Sequence, residues 1–260
     1  MLTIDWPVLA HTRVRAACTK REGGVSRAPY DSLNLGDHVG DDAACVQANR
    51  RALSRRIGVR PVYLQQVHGV QAVQLDAQTP DGTEADACAT AEPDVACTIM
   101  VADCLPVLLA TEDGSAVAAA HAGWRGLAHG VIESAHGALM RLATPGEGLA
   151  ARVGVTAWLG PCIGPRAFEV GDEVRAAFAA VQPASVAQRF TPHPTASGKW
   201  FADLQGLARD RLQALGVHAV HGNDGSAAWC THANASRFFS HRRDRVSGRL
   251  AACVWLQGGG

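Results

Sequence analysis

Apolar positions recur along the chain at two spacings. Val46, Leu53 and Ile57 fall on one helical face while Arg50, Arg51 and Arg55 fall elsewhere, which predicts an amphipathic helix over Ala43–Ile57. The same period predicts helices over Leu127–Leu142, Val170–Val181 and Leu204–Leu215. Asp172 and Glu173 stand near the start of the helix beginning at Val170, where the helix dipole favours negative charge. The second pattern is the short apolar run bounded by turn residues. Ala96–Ala102, Pro106–Ala110 and Ala116–Ala120 have this form and read as buried strands. Val62–Val67 and Val70–Leu75 flank His68-Gly69 as two more strands, and Val153–Leu159, Phe238–Arg242 and Leu250–Leu256 follow later in the chain. Pro145, Gly146 and Gly148 mark one loop; Pro183–Gly198, rich in Pro, Ser and Thr, marks another.

Neither loop is long enough to divide the chain, and no internal repeat is visible. Strands and helices mix without strict βαβ order, which predicts a single mixed α/β (α+β) sandwich domain over residues 1–260 rather than a doubly wound sheet. Gly23-Gly24 and Gly258–Gly260 do not make the dinucleotide fingerprint G-x-G-x-x-G after a strand.

Composition narrows the partners. At 47% hydrophobic and 18% charged the chain has ample material for a core and is not a disordered polymer. Lys+Arg and Asp+Glu are equal at 24 each, so no global field draws nucleic acid or an anionic membrane. The first ten residues include Asp5 and Pro7 and lack a basic-then-apolar signal pattern. No stretch approaches the roughly 18–20 apolar residues of a membrane span. The expectation is a cytoplasmic protein without nucleic-acid or membrane partners. Its eight cysteines are then reduced thiols, and no C-x-x-C pair suggests a zinc ribbon or a redox motif. Cys18, Cys45, Cys88, Cys97 and Cys253 read as small buried hydrophobes.

Chemistry concentrates where polar residues end apolar runs. His68, Cys104 and His121 each occupy such a position. Strand ends hold side chains rigidly, as a metal site requires. Two imidazoles and a thiolate suit Zn²⁺ and leave a fourth position open; a His₂Cys set also suits Cu²⁺. The gaps of 36 and 17 residues are not a diagnostic spacing, so each residue taken alone reads more readily as structural than as a ligand.

The segments around these residues, Leu64–Gly69, Val101–Pro106 and Ala118–Gly126, resemble the YfiH family, also called the laccase-domain or multicopper polyphenol oxidase-like family. The resemblance extends through Thr19–Ser26, Ser32–Gly36, Val39–Asp42, Gly160–Gly164, Phe201–Leu204, Cys230–His232 and Phe238–Asp244, and so covers nearly the whole chain. It implies a layered α/β/β/α sandwich with zinc on His68, Cys104 and His121. It also implies a purine nucleoside phosphorylase that deaminates adenosine and cleaves methylthioadenosine, with a purine nucleoside and phosphate as partners. The family also carries peptidoglycan-editing (PgeF-like) and laccase labels.

Further residues fit that chemistry. Asp103 would orient a His ligand or act as general base, although in an extended backbone it points away from Cys104. Arg125, in Gly123–Gly126 at a strand-to-helix junction, would bind phosphate or form a surface ion pair. Arg21, in a glycine-rich loop, is a second anion candidate or a solvated turn residue. Asn34 and Gln66 would bond a purine edge or ribose, or else satisfy backbone groups. Cys162 would face the pocket or pack, and His232, His241 and Arg242 would line the mouth or form a charged strand end.

Three rivals use the same residues. A copper phenol oxidase lacks support in that none of the eleven histidines forms an H-x-H pair and only three methionines are present. A cysteine hydrolase would use Cys104 as nucleophile with His68 or His121 as base. A metal-stabilised regulator would close its zinc with a fourth protein ligand. The zinc-dependent purine enzyme is the expectation carried forward; oligomeric state stays open.

Overall fold

The computed structural model describes residues 1–143 and 153–259. The chain starts with α1 (Val8–His11), β1 (Val14–Cys18), α2 (Ala43–Ile57), β2 (Arg60–Tyr63), β3 (Ala72–Gln74) and β4 (Ala87–Thr90). It continues with β5 (Val95–Val101), β6 (Leu105–Thr111), β7 (Val117–Ala122), α3 (Trp124–His129), α4 (Val131–Ala143) and β8 (Val155–Leu159). The last part comprises β9 (Glu169–Gly171), α5 (Asp172–Val181), α6 (Pro183–Arg189), β10 (Phe190–Pro192) and β11 (Lys199–Ala202). After these come α7 (Leu204–Ala214), β12 (Ala219–Gly222), α8 (His241–Asp244) and β13 (Leu250–Leu256).

Two mixed sheets stack face to face. One has the order β1-β13-β5-β2, the other β12-β8-β6-β7-β4-β3, and a small β10-β11-β9 sheet sits apart. The strand sequences explain the stacking. Every residue of β6 is buried, because Leu108 and Ala110 face β5 and β13 across the inter-sheet layer while Leu105, Val107 and Leu109 face α4. Helix α4 covers that outer face with Val131, Ile132, Ala135 and Leu139. On the other side, Leu53 of α2 packs with Met100, Ala251 and Cys253 of the four-stranded sheet. The result is the expected α/β/β/α sandwich.

Helix α2 matches its expected bounds, with the Asp42 carboxylate accepting from Ala44 and Cys45 at its start. Other elements differ. The helix expected over Leu127–Leu142 is broken at Gly130, whose φ of 102° ends α3 and starts α4. The helix expected from Val170 begins at Asp172, because Glu169–Gly171 pairs with β11. Pro183–Gly198 is not one loop: Pro183 opens α6, and Phe190–Pro192 pairs with β11. Phe238–Arg242 is not a strand; Phe238 and Phe239 plug the inter-sheet core from a loop, and Ser240 caps α8. The strands expected around His68 stop at Tyr63 and resume at Ala72. The loop expected at Pro145–Gly148 lies outside the described residues. Among the described residues no helix is long and apolar enough to cross a membrane.

Leu108 is fully buried between the sheets, so Leu108→Ala leaves a cavity that neighbours on two layers cannot fill. It is expected to lower unfolding free energy by about 2–5 kcal/mol in a urea titration.

Candidate metal centre

His68, Cys104 and His121 converge at one end of the inter-sheet layer. Cys104 lies in the short connection that leaves β5 in one sheet and enters β6 in the other, and its side chain packs against the inter-sheet core. His121 is on β7, which pairs with β6 so that His121 stands opposite Pro106. Gly123 follows, and a Cβ there would approach His68 Cδ2 to 2.9 Å and Cys104 Sγ to 3.1 Å. A side chain at this position would therefore press into the ligand group. His68 comes from the loop after β2 with φ of 62°.

A buried carboxylate organises the imidazoles. Asp86, fully buried just before β4, accepts from the backbone N–H groups of Val67 (3.1 Å), His68 (2.9 Å) and Gly69 (2.7 Å). It also takes the Nδ1 of His121 at 2.8 Å, while its own carbonyl accepts the His121 N–H at 2.7 Å. An ionised carboxylate only accepts, so the His121 proton sits on Nδ1 and Nε2 presents its lone pair to the ligand group. Burial alone would raise the Asp86 pKa, but the His121 and backbone N–H bonds hold it below the usual carboxylate value.

The ligand atoms of the trio lie within 4.8 Å of one another, and Cys104 Sγ is 3.8 Å from His68 Nε2. Tetrahedral zinc with bonds of about 2.3 Å to sulfur and 2.05 Å to nitrogen needs about 3.6 Å between those atoms. The donor types suit zinc and the Cys104–His68 pair is near that spacing, while the widest pair, at up to 4.8 Å, would draw in around a bound ion. Burial would raise the Cys104 thiol, but the His121 charge and bonds from both histidines bring it down to about 6. Burial would lower His121, yet the Cys104 thiolate and Asp86 lift it to about 9. Between these values the metal-free centre holds a thiolate beside an imidazolium, ready to exchange its proton for a cation.

The centre opens into a cavity of about 420 Å³ lined also by His38, Gln66, Trp124, Phe168, Arg242 and Arg249. Asp103 and His241 also line this cavity. Asp103 has φ of 102°, and its two carboxylate oxygens accept Thr231 Oγ1 and the Arg242 N–H, each at 2.6 Å. It pins two loops, each carboxylate oxygen carrying one of these bonds. Gln66 lines the wall with its amide tied to both backbone groups of Met100.

The other candidates are placed elsewhere. Arg21 is held by the Asp31 carboxylate at 3.3 Å and the Ala235 carbonyl, with Phe239 beneath it. Arg125 is exposed and stacks on the ring of Trp124 at 4.4 Å. Asn34 is fully buried, and its amide bonds Gly36, Asp41 and Arg249. Cys162 is a buried thiol whose pKa desolvation pushes well up, so it packs rather than reacts. His232 lines a neighbouring groove. Asp86, His38 and Arg249 were not among the candidates. Asp86 carried a signal in the sequence: a lone acid within Ala85-Asp86-Ala87-Cys88-Ala89, the same polar-in-apolar signature as the ligands.

Asp86→Asn removes the charge that orients both histidines and is expected to weaken zinc affinity by about 10- to 100-fold in a chelator competition. In metal-free protein the sign of the Cys104 shift is also testable. Alkylation by iodoacetamide should rise through a midpoint near 6 rather than 9, and added zinc should suppress it.

Residues 15–257 match the family described as multi-copper polyphenol oxidoreductase laccase. A purine nucleoside phosphorylase of Pseudomonas aeruginosa is 52% identical, covering 98% of both chains. The purine nucleoside phosphorylase YfiH of Escherichia coli is 45% identical over the same shares. Among solved structures, a Neisseria meningitidis protein superposes with a TM-score of 0.87 at 42% identity, covering 99% of each chain. YfiH of Bacillus licheniformis superposes at 0.83 with 27% identity, covering 94% of this chain and 93% of that one. Fold, metal-capable trio and sequence agree that this chain belongs to the laccase-domain family that includes the YfiH proteins.

Proposed function

We propose that the chain is a zinc-dependent purine nucleoside phosphorylase that also deaminates adenosine and cleaves methylthioadenosine. The observation that carries this reading is a three-ligand centre open to a cavity of about 420 Å³. That volume lies within the roughly 300–1,000 Å³ of small-molecule sites. The phosphorylase names of relatives 45–52% identical over nearly their whole lengths supply the substrate class.

Each part of the cavity has a task. Trp124 and Phe168 present aromatic walls to a purine. His68, Cys104 and His121 hold the metal, with Asp86 fixing the histidines. When bound, zinc supplies a Lewis acid near the reacting bond. Asp103 holds the Thr231 and Arg242 segments against the centre. Arg242, over Phe168, adds positive charge where phosphate must enter.

One observation favours a second reading. A Cys104 thiolate beside His121 is also the pair a cysteine hydrolase needs. A multicopper oxidase finds less support, because among the described residues a single three-ligand group converges.

The test is elemental analysis of chelator-washed protein alongside adenosine turnover with and without phosphate. About one zinc per chain is expected, with adenine formed when phosphate is present and inosine without it. Cys104→Ala should lose both metal and turnover. Activity retained by the metal-free variant would sink the zinc mechanism, and copper in place of zinc would return the oxidase.

A further inference from the structure

We propose that Arg249, with His38 beside it, is the phosphate-holding group of this cavity. The inference rests on the phosphorolysis reading for its purpose, and its test does not depend on turnover.

Phosphorolysis needs an anion held next to the nucleoside. The two arginines in glycine-rich segments, Arg21 and Arg125, do not line the cavity. Arg249 does, half-buried, and among the described residues no carboxylate lies within 4.0 Å of its guanidinium. Its Nη1 donates to the carbonyls of Ser247 (2.9 Å) and Gly248 (3.2 Å), which leaves Nε and Nη2 without an acceptor among the described residues. A partly desolvated cation with two free donors is costly unless an anion meets it. Burial accordingly presses its pKa below the ordinary arginine value, though it stays charged at any working pH. The fork of donors suits two phosphate oxygens at once.

The surrounding chain is built to place this side chain. Asn34 Oδ1 accepts the Arg249 N–H at 2.8 Å and the Gly36 N–H at 2.9 Å, and the Arg249 carbonyl takes Leu35 N–H at 3.2 Å. A Cβ on Gly36 would meet Arg249 Cγ at 2.7 Å, so only glycine lets the arginine stem lie there. Leu250, the next residue, pairs with Val101 of β5, the strand that runs on into Asp103 and Cys104. Arg249 and the metal ligands are thus fixed to one rigid strand pair.

His38 shares the cavity and adds a second donor. Burial and the nearby Arg249 lower its pKa, against the Asp37 carboxylate that lies 3.5 Å from its Nδ1 and leaves Nε2 as the atom turned to an anion when the ring is protonated. The carboxylate of Asp103, the acid on the wall, is already spent on Thr231 and Arg242.

The test is calorimetric titration of inorganic phosphate into zinc-loaded protein, with and without inosine. Saturable binding is expected in the wild type, weakened roughly 10- to 100-fold in Arg249→Gln. Arg249→Lys, which keeps charge but loses the fork, should weaken it by about 3- to 10-fold. His38→Gln, at a partly exposed position, supplies a variant that folding does not constrain, and should also bind more weakly. Inosine should leave phosphate bound, as a ternary complex requires. No saturable binding, unchanged affinity in both Arg249 variants, mutual exclusion with inosine, or a loss seen in Arg125→Gln instead would each overturn the assignment. Phosphate binding that depends on Arg249 without any phosphorolysis would instead overturn the proposed reaction and leave the anion site standing.

Discussion

The Asp86 carboxylate is the interaction on which the centre depends. It is removed from water, and an unpaired charge there would cost several kcal/mol. Three backbone N–H groups of the Val67–Gly69 turn and the His121 imidazole offset that cost. The same four bonds shape the turn that presents His68 and choose the tautomer that His121 presents. One buried charge thus sets two ligands from different parts of the chain, and the short connection between β5 and β6 supplies the third. Asp86 adjoins Ala87, which pairs with Ala120 next to His121, so the carboxylate and imidazole are brought together by strand register rather than by flexible loops.

The sandwich makes that arrangement stiff. A strand buried on both faces cannot shift without opening two core layers, and Cys104 is anchored at the start of such a strand. Strain collects next to it. Asp103 adopts a positive φ that a non-glycine residue disfavours, and it is held there by its bonds to Thr231 and Arg242 and by the Ile163 N–H on its carbonyl. Glycine at position 123 keeps the approach to the ligands clear.

Charge is distributed with the same economy. The chain as a whole is neutral, yet the cavity gathers His38, His241, Arg242 and Arg249 against a single engaged carboxylate. A small anion entering the cavity therefore meets the guanidinium groups of Arg242 and Arg249. Soft ligands for a metal and hard donors for an anion share one cavity, which suits a reaction between a nucleoside and phosphate.

By itself the sequence determined the elements whose signal is local. The period of α2, the apolar runs of β5, β6 and β7, and the placing of Cys104 and His121 beside those runs were legible, because amphipathic period and strand burial are written in neighbouring residues, whereas His68 stands in a loop clear of any strand. Tertiary structure decided what depends on distant partners. Phe238 and Phe239 read as a strand but serve as plugs, because nothing nearby in sequence says which core they fill. Asn34 read either as a substrate contact or as a group satisfying backbone, and only packing shows which backbone: that of Arg249, 215 positions away. Asp86 stands in an apolar run that marks it as buried, but its role is set only by the histidine 35 residues on that packs beside it. Local patterning sets which segments form; the hydrogen-bond partners of buried polar groups are set by packing, and in this chain those partners place the chemistry.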